Sequence, residues 1–230
     1  MFLFQAHLRF LLILVCIASL TEVMAQKPFK GRIVYSISYP GSTVDLAELQ
    51  ELPDKKVILT KKNMIRAELT GENAGLSQVK IVEPERNEVR TMLEIMGDKY
   101  VIVKSFEEID KTISEMPQPE IEYTSETKEI LGYNCKKAIA RVTNEFGIEY
   151  ESEIFYTEEI HSDYFHFDTP YREIPGIMLE YSIRIGPLNI YYQAQSVNKK
   201  LIVRNRNFHV TRDYQRVTES ELREKLEGGF

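Results

Sequence analysis

The sequence predicts a mainly β (α+β) domain: a large curved antiparallel sheet or incomplete barrel of about ten strands, capped by a few short helices. Three observations predict it. Period-2 alternation of apolar and polar residues recurs in many short segments bounded by turn residues. The segments are joined by very short connections, such as Gly97-Asp98 and Gly186-Pro187, as expected of an antiparallel meander. Helical signals are few and brief.

The first strand is expected in "GRIVYSISYPG", where Ile33, Tyr35, Ile37 and Tyr39 alternate with Arg32, Val34, Ser36 and Ser38. A short helix follows in "TVDLAELQEL" (43–52), ended by Pro53. Strands are then expected over 56–60, 63–69, 77–83, 88–96 and 99–104. "SFEEIDKTIS" (105–114) carries a capping box, Ser105 with Glu108, and places Phe106, Ile109 and Ile113 at helical spacing. Further strands are expected over 135–143, 148–156, 177–185, 189–197 and 200–208. "TEEIHSDYF" (157–165) suggests a helical turn, and "TESELREKLEGG" (218–229) a last helix with Thr218 and Glu221 as capping box.

The sharpest of these segments is "IPGIMLEYSIRI". Pro175 and Gly176 close a turn-rich stretch, since neither suits a central ladder position. Ile177, Leu179, Tyr181, Ile183 and Ile185 then share one parity, and Met178, Glu180, Ser182 and Arg184 the other. The apolar parity points toward whatever the sheet encloses, with Glu180 and Arg184 facing water. An antiparallel sheet can leave one face wet, but the apolar face needs cover. Three helices of ten or so residues cover few strands. The sheet therefore closes as a barrel, folds over as a sandwich, or curls around a cavity capped by the helices.

Residues 1–25 are expected to leave the chain. Arg9 precedes an apolar run from Phe10 to Leu20, and Val23-Met24-Ala25 offers a cleavage site near Ala25. This is the layout of a secretory signal peptide, and the run is roughly half the ~20 residues that span a bilayer. The mature chain is then periplasmic or secreted, is not an integral membrane protein, and suits a single domain over 26–230. A formal charge of −6 and a pI near 5.4 argue against nucleic acid, which needs a basic face. Of the two cysteines only Cys135 remains after cleavage, so no internal disulfide can form. Cys135 reads as a buried small hydrophobe.

Chemistry-bearing motifs are sparse. "HSDYFHF" places His161, Asp163 and His166 within six residues, but His-x-Asp-x-x-His matches no standard ligand spacing, and a solvent-facing loop explains it better. Nucleophile elbows, Cys-x-x-Cys pairs, zinc-protease helices and phosphate-binding glycine loops are absent from the sequence. Lys136 and Lys137 would favour a Cys135 thiolate if it were exposed, yet nothing identifies an oriented base. No catalytic residue, metal site or cofactor is expected. Tyr181, Tyr191, Tyr192, Met92, Met96 and Met178 lie in expected strands, and a Met- and Tyr-containing wall adapts to irregular apolar ligands. Ile177, Leu179, Tyr181, Ile183 and Tyr192 are the expected ligand-binding wall.

Four segments in order carry a family resemblance. "IPGIMLEYSI" (174–183) resembles the Pro-Gly-aliphatic-Leu-Glu signature of the GLPGLI-type family of uncharacterised secreted bacterial proteins, with Glu173-Ile174 where the name motif has Gly-Leu. "FKGRIVYSISY" (29–39) resembles that family's first strand, "KEILGYNCKKAIARV" (128–142) its central hairpin, and "DYQRVTESELREKL" (213–226) its C-terminal helix. Such families are distantly similar to the LolA-like periplasmic lipoprotein-carrier fold, an incomplete barrel with helices over an apolar cavity. The resemblance implies a non-catalytic binding protein for a hydrophobic or lipid-like ligand in the cell envelope. One alternative is a structural, protein-interaction or envelope-sensing domain with a filled core, acting on an envelope protein partner; another is an envelope hydrolase using carboxylates or the His161 region.

Overall fold

The computed structural model describes residues 27–144 and 147–227. The signal-peptide expectation for residues 1–25 lies outside the described residues. The described strands are β1 (Gly31–Ser38), β2 (Lys55–Lys61), β3 (Met64–Thr70), β4 (Leu76–Glu83), β5 (Glu88–Ile95), β6 (Asp98–Ser105), β7 (Glu120–Ile130), β8 (Tyr133–Thr143), β9 (Glu149–Thr157), β10 (Ile177–Ile185), β11 (Leu188–Asn198) and the two-residue β12 (Gln215–Arg216). The helices are α1 (Leu46–Gln50), α2 (Phe106–Ser114) and α3 (Glu219–Glu227). All twelve strands form one curved, open sheet in the order β12-β6-β5-β4-β3-β2-β1-β11-β10-β9-β8-β7. Two meanders, β1–β6 and β7–β11, are thus joined where β1 pairs with β11. Every pairing is antiparallel except β12 on β6.

Turn chemistry sets much of this register. Met96-Gly97 and Leu131-Gly132 both take positive φ at two consecutive residues, the two-residue hairpin geometry whose twist matches the flanking strands. Both expected capping boxes form. Glu108 N donates to Ser105 Oγ at 3.2 Å and Ser105 N to Glu108 Oε2 at 2.7 Å. Glu221 N donates to Thr218 Oγ1 at 3.2 Å and Thr218 N to Glu221 Oε2 at 2.7 Å. These bonds satisfy donors that a helix N-terminus otherwise leaves unpaired. α2 buries Ile109 and Ile113, α3 buries Leu222, and α1 buries nothing.

The sheet has an inner face, lined by the large core cluster, and an outer face. The outer face of β2–β6 is not wet. β4 carries aliphatic residues of both parities, with Val79 and Ile81 facing out. They join Met92 and Val101 under Val203 and Phe208 from the segment after β11. This corrects the expected strand at 200–208. Leu201, Val203 and Phe208 turn toward the sheet instead of a partner strand, and a 3-10 turn forms at Asn205–Phe208. The segment's polar groups meet side chains: Lys61 Nζ donates to Asn205 Oδ1 at 2.6 Å, and Arg90 to the Phe208 carbonyl at 3.3 Å.

β7 was not foreseen, because its pattern is exposed along almost its whole length. Ion pairs register it instead. Arg141 reaches Glu122 on β7 at 2.7 Å and Glu151 on β9 at 3.1 Å; Lys137 reaches Glu126 at 3.1 Å and Glu153 at 2.6 Å. Each exposed pair contributes only about 0–1 kcal/mol, but the charge along this edge also discourages pairing with a foreign strand.

The stretch from Glu158 to Gly176, between β9 and β10, folds over the inner face. Ile160, Phe165, His166, Tyr171 and Ile174 are all buried. Phe29 N donates to the His161 carbonyl at 2.7 Å. Asp168 forms an ion pair with Lys80 on β4, and Arg172 pairs with Asp110 on α2 at 2.6 Å. Phe106 of α2 packs on Phe167 with ring centroids 4.1 Å apart. The solvent-facing loop expected around "HSDYFHF" is therefore corrected: the apolar residues spaced through it draw the segment into the core.

Candidate functional site

The five wall residues expected from sequence lie in this inner region. Ile177, Leu179, Tyr181 and Tyr192 are buried, and Ile183 packs partly buried against the same cluster. Tyr181 pairs with Tyr192 across β10 and β11, and their rings stack 4.7 Å apart. The simple alternation does not hold through β10. A bulge between Met178 and Glu180 shifts the register against β9, so Met178 is buried alongside Ile177 and Leu179. A bulge locally disrupts the ladder, so consecutive side chains there can face the same way. Ile185, at the strand's far end, is 61% exposed. The wider Met and Tyr set does not gather either. Met92 packs under the outer segment, and Met96 is 79% exposed at a turn.

Around Tyr181 lies a buried polar network that hydrophobic patterning does not reveal. Lys56 Nζ donates to Tyr181 Oη at 3.0 Å and stands 5.0–5.8 Å from the ring centroids of Tyr35, Tyr181 and Tyr192. Tyr35 Oη donates to the Met178 carbonyl at 2.9 Å. Burial raises the Tyr35 and Tyr181 hydroxyls well above the ordinary phenol value and pushes Tyr192 up to about 12. All three stay neutral at physiological pH. His166 is held at about 3 by burial and by the Lys56 charge, with its ring hydrogen-bonded to the Gly176 backbone and Nε2 without a partner among the described residues. Burial works to raise the Asp168 carboxyl, but the Lys80 ammonium, the Lys56 charge and its own backbone N–H together hold it below the ordinary carboxylate value. Lys56 shares parity with Ile58 and Lys80 with Val82. A cation on an inward parity is the signal that would have found both. Nothing in the turn-rich sequence around Asp168 marks it.

One part of the inner face is not covered by the 158–176 segment. A groove of about 480 Å³ runs between α2 and α3 over β4–β6. Leu93, Ile102, Ile109, Ile113 and Leu222 supply its apolar surface, and Met116 stands at its side. The Lys80–Asp168 pair lies at one end. At the other, Lys104 donates to Thr112 at 3.2 Å and pairs with Glu219 at 2.7 Å, tying α3 to α2. Arg223 also lines the groove and has no ion-pair partner among the described residues. A concave surface that combines apolar side chains with placed polar and charged groups suits a small amphipathic molecule. None of the five expected wall residues lines this groove.

No family model and no curated protein matches the chain. Among solved structures it is similar to the crystal structure of LprF from Mycobacterium bovis, at 11% identity and a TM-score of 0.31. The match covers 76% of this chain and 89% of that one. So distant a likeness carries no argument about the site.

The other reactive groups are muted. Cys135 is fully buried, and burial pushes its thiol up to about 11, so almost no thiolate is present at neutral pH. His161 Nε2 meets Asp163 at 3.0 Å, whereas His166 is turned into the core. The three residues do not converge. No described helix is long and apolar enough to cross a membrane.

Proposed function

We propose that this protein is a non-catalytic, extracytoplasmic binding protein of the cell envelope whose ligand is amphipathic and lipid-like. The observation that carries the reading is the α2–α3 groove, where Leu93, Ile102, Ile109, Ile113 and Leu222 form an apolar strip among charged side chains, beside an Arg223 guanidinium with no ion-pair partner among the described residues. An acyl chain would lie on Ile102, Ile109 and Ile113, and an anionic head would meet Arg223. Affinity would come mainly from apolar area removed from water, about 25 cal/mol per Å². Export and the GLPGLI-type resemblance, both read from sequence, supply the envelope setting.

Native mass spectrometry of the protein purified from its own host tests this. A co-purifying amphiphile is expected, and Ile113→Glu, which places a charge in the groove wall, is expected to lower its occupancy at least tenfold, or about 1.4 kcal/mol. Retention of the ligand by a folded Ile113→Glu variant would move the site elsewhere.

A second reading has one specific observation behind it. The chain's own 158–176 segment covers the wall built by Ile177, Leu179, Tyr181 and Tyr192. A domain with that region filled can act through its edges and loops on an envelope protein partner. It predicts no co-purifying ligand.

A further inference from the structure

We infer that the outer face carries a docking surface for an anionic phospholipid bilayer, separate from the groove. A cleft of about 710 Å³ lies between β1, β2 and the segment after β11. Four cations line it: Arg32, Lys200, Arg204 and Arg206. No carboxylate among the described residues lines it, although the chain as a whole carries a formal charge of −6. None of the four cations is in an ion pair among the described residues, while fourteen such pairs elsewhere occupy many of the other lysines and arginines. An acidic protein that keeps a carboxylate-free group of unpaired cations has a local field that attracts anionic surfaces.

The occupant is set by what stands among the cations. Ile202 lines the same cleft and is 75% exposed, between Lys200 and Arg204 in sequence. A nucleic acid or free phosphate has no use for an exposed isoleucine among the cations it contacts. A bilayer does: basic groups meet the headgroup phosphates while an apolar side chain enters the headgroup–acyl boundary. Leu201 and Val203, which flank Ile202, are packed down on the sheet cluster, so the isoleucine is presented from an anchored base.

Co-sedimentation of the mature chain with vesicles tests the proposal. Binding is expected to phosphatidylcholine–phosphatidylglycerol vesicles but not to phosphatidylcholine alone, and to be released by salt as screening shortens the reach of the field. The double variant Arg204→Glu, Arg206→Glu is expected to lose at least about tenfold in partitioning, and Ile202→Ser severalfold. Both substitute exposed side chains, and unchanged far-ultraviolet dichroism confirms the fold. The groove variant Ile113→Glu is expected to bind vesicles like the parent, so this outcome is independent of the proposed ligand. Equal binding to neutral vesicles, no binding to anionic ones, undiminished binding by the folded double variant, or displacement by inorganic phosphate at constant ionic strength would overturn it.

Discussion

Gly176→Ala is expected to destabilise the protein by about 3 kcal/mol or more. Gly176 has φ +75°, which an alanine adopts only with strain. A Cβ there would also overlap the Thr157 carbonyl oxygen, and would lie 2.8 Å from its carbon and 2.9 Å from Glu158 Cα. Those atoms are backbone at the end of β9, so they cannot swing aside. Gly97 separates the two contributions. It too has positive φ, but nothing lies within 4 Å of its would-be Cβ, so Gly97→Ala is expected to cost only the conformational part, about 1 kcal/mol. Urea denaturation of both variants measures the difference. The same close approach explains why Pro-Gly precedes β10: the 158–176 segment must pass against β9 before the strand begins.

His166 is expected to make stability fall as the pH drops below about 6.5, so that the loss begins before the carboxylates titrate. Its ring is held at about 3 in the folded protein and returns to about 6.5 when unfolded. Between those values the unfolded chain binds the extra proton. Stability is therefore full above about pH 6.5 and is lost progressively as the pH falls toward 3, at up to about 1.4 kcal/mol per pH unit. The physical cause is that a charged imidazole would sit in the core, near Lys56, with Nε2 unpartnered. The nearby Asp168 carboxyl, already paired with Lys80, only partly opposes this. Denaturation midpoints between pH 7 and 5 should slope for the parent and flatten for His166→Gln. A parent with no slope in that interval would show that His166 is solvated.

The strands were legible in the sequence wherever one parity was apolar and the other polar, as in β1, and wherever short turns forced antiparallel pairing. The two capping boxes were legible because Ser105–Glu108 and Thr218–Glu221 are local patterns. β7 was not, since its pairing rests on charges that contact Arg141 and Lys137 across strands. The β10 bulge was not, since alternation alone cannot register one extra residue. Residues 158–176 misled because their polar and turn-forming residues hide Ile160, Phe165, Tyr171 and Ile174, which have no fixed period. The five expected wall residues are gathered in the core, but the open groove is built from β4–β6, α2 and α3 together. No periodic reading places such distant segments side by side.

The central claim is that an amphipathic ligand sits between α2 and α3. Photo-crosslinking with a diazirine-bearing fatty acid, followed by peptide mapping, tests it most directly. Crosslinks to residues 102–116 and 219–223, suppressed by Ile113→Glu, are the predicted result. Crosslinks concentrated on Ile177–Tyr192, or none that unlabelled fatty acid can compete away, would contradict it.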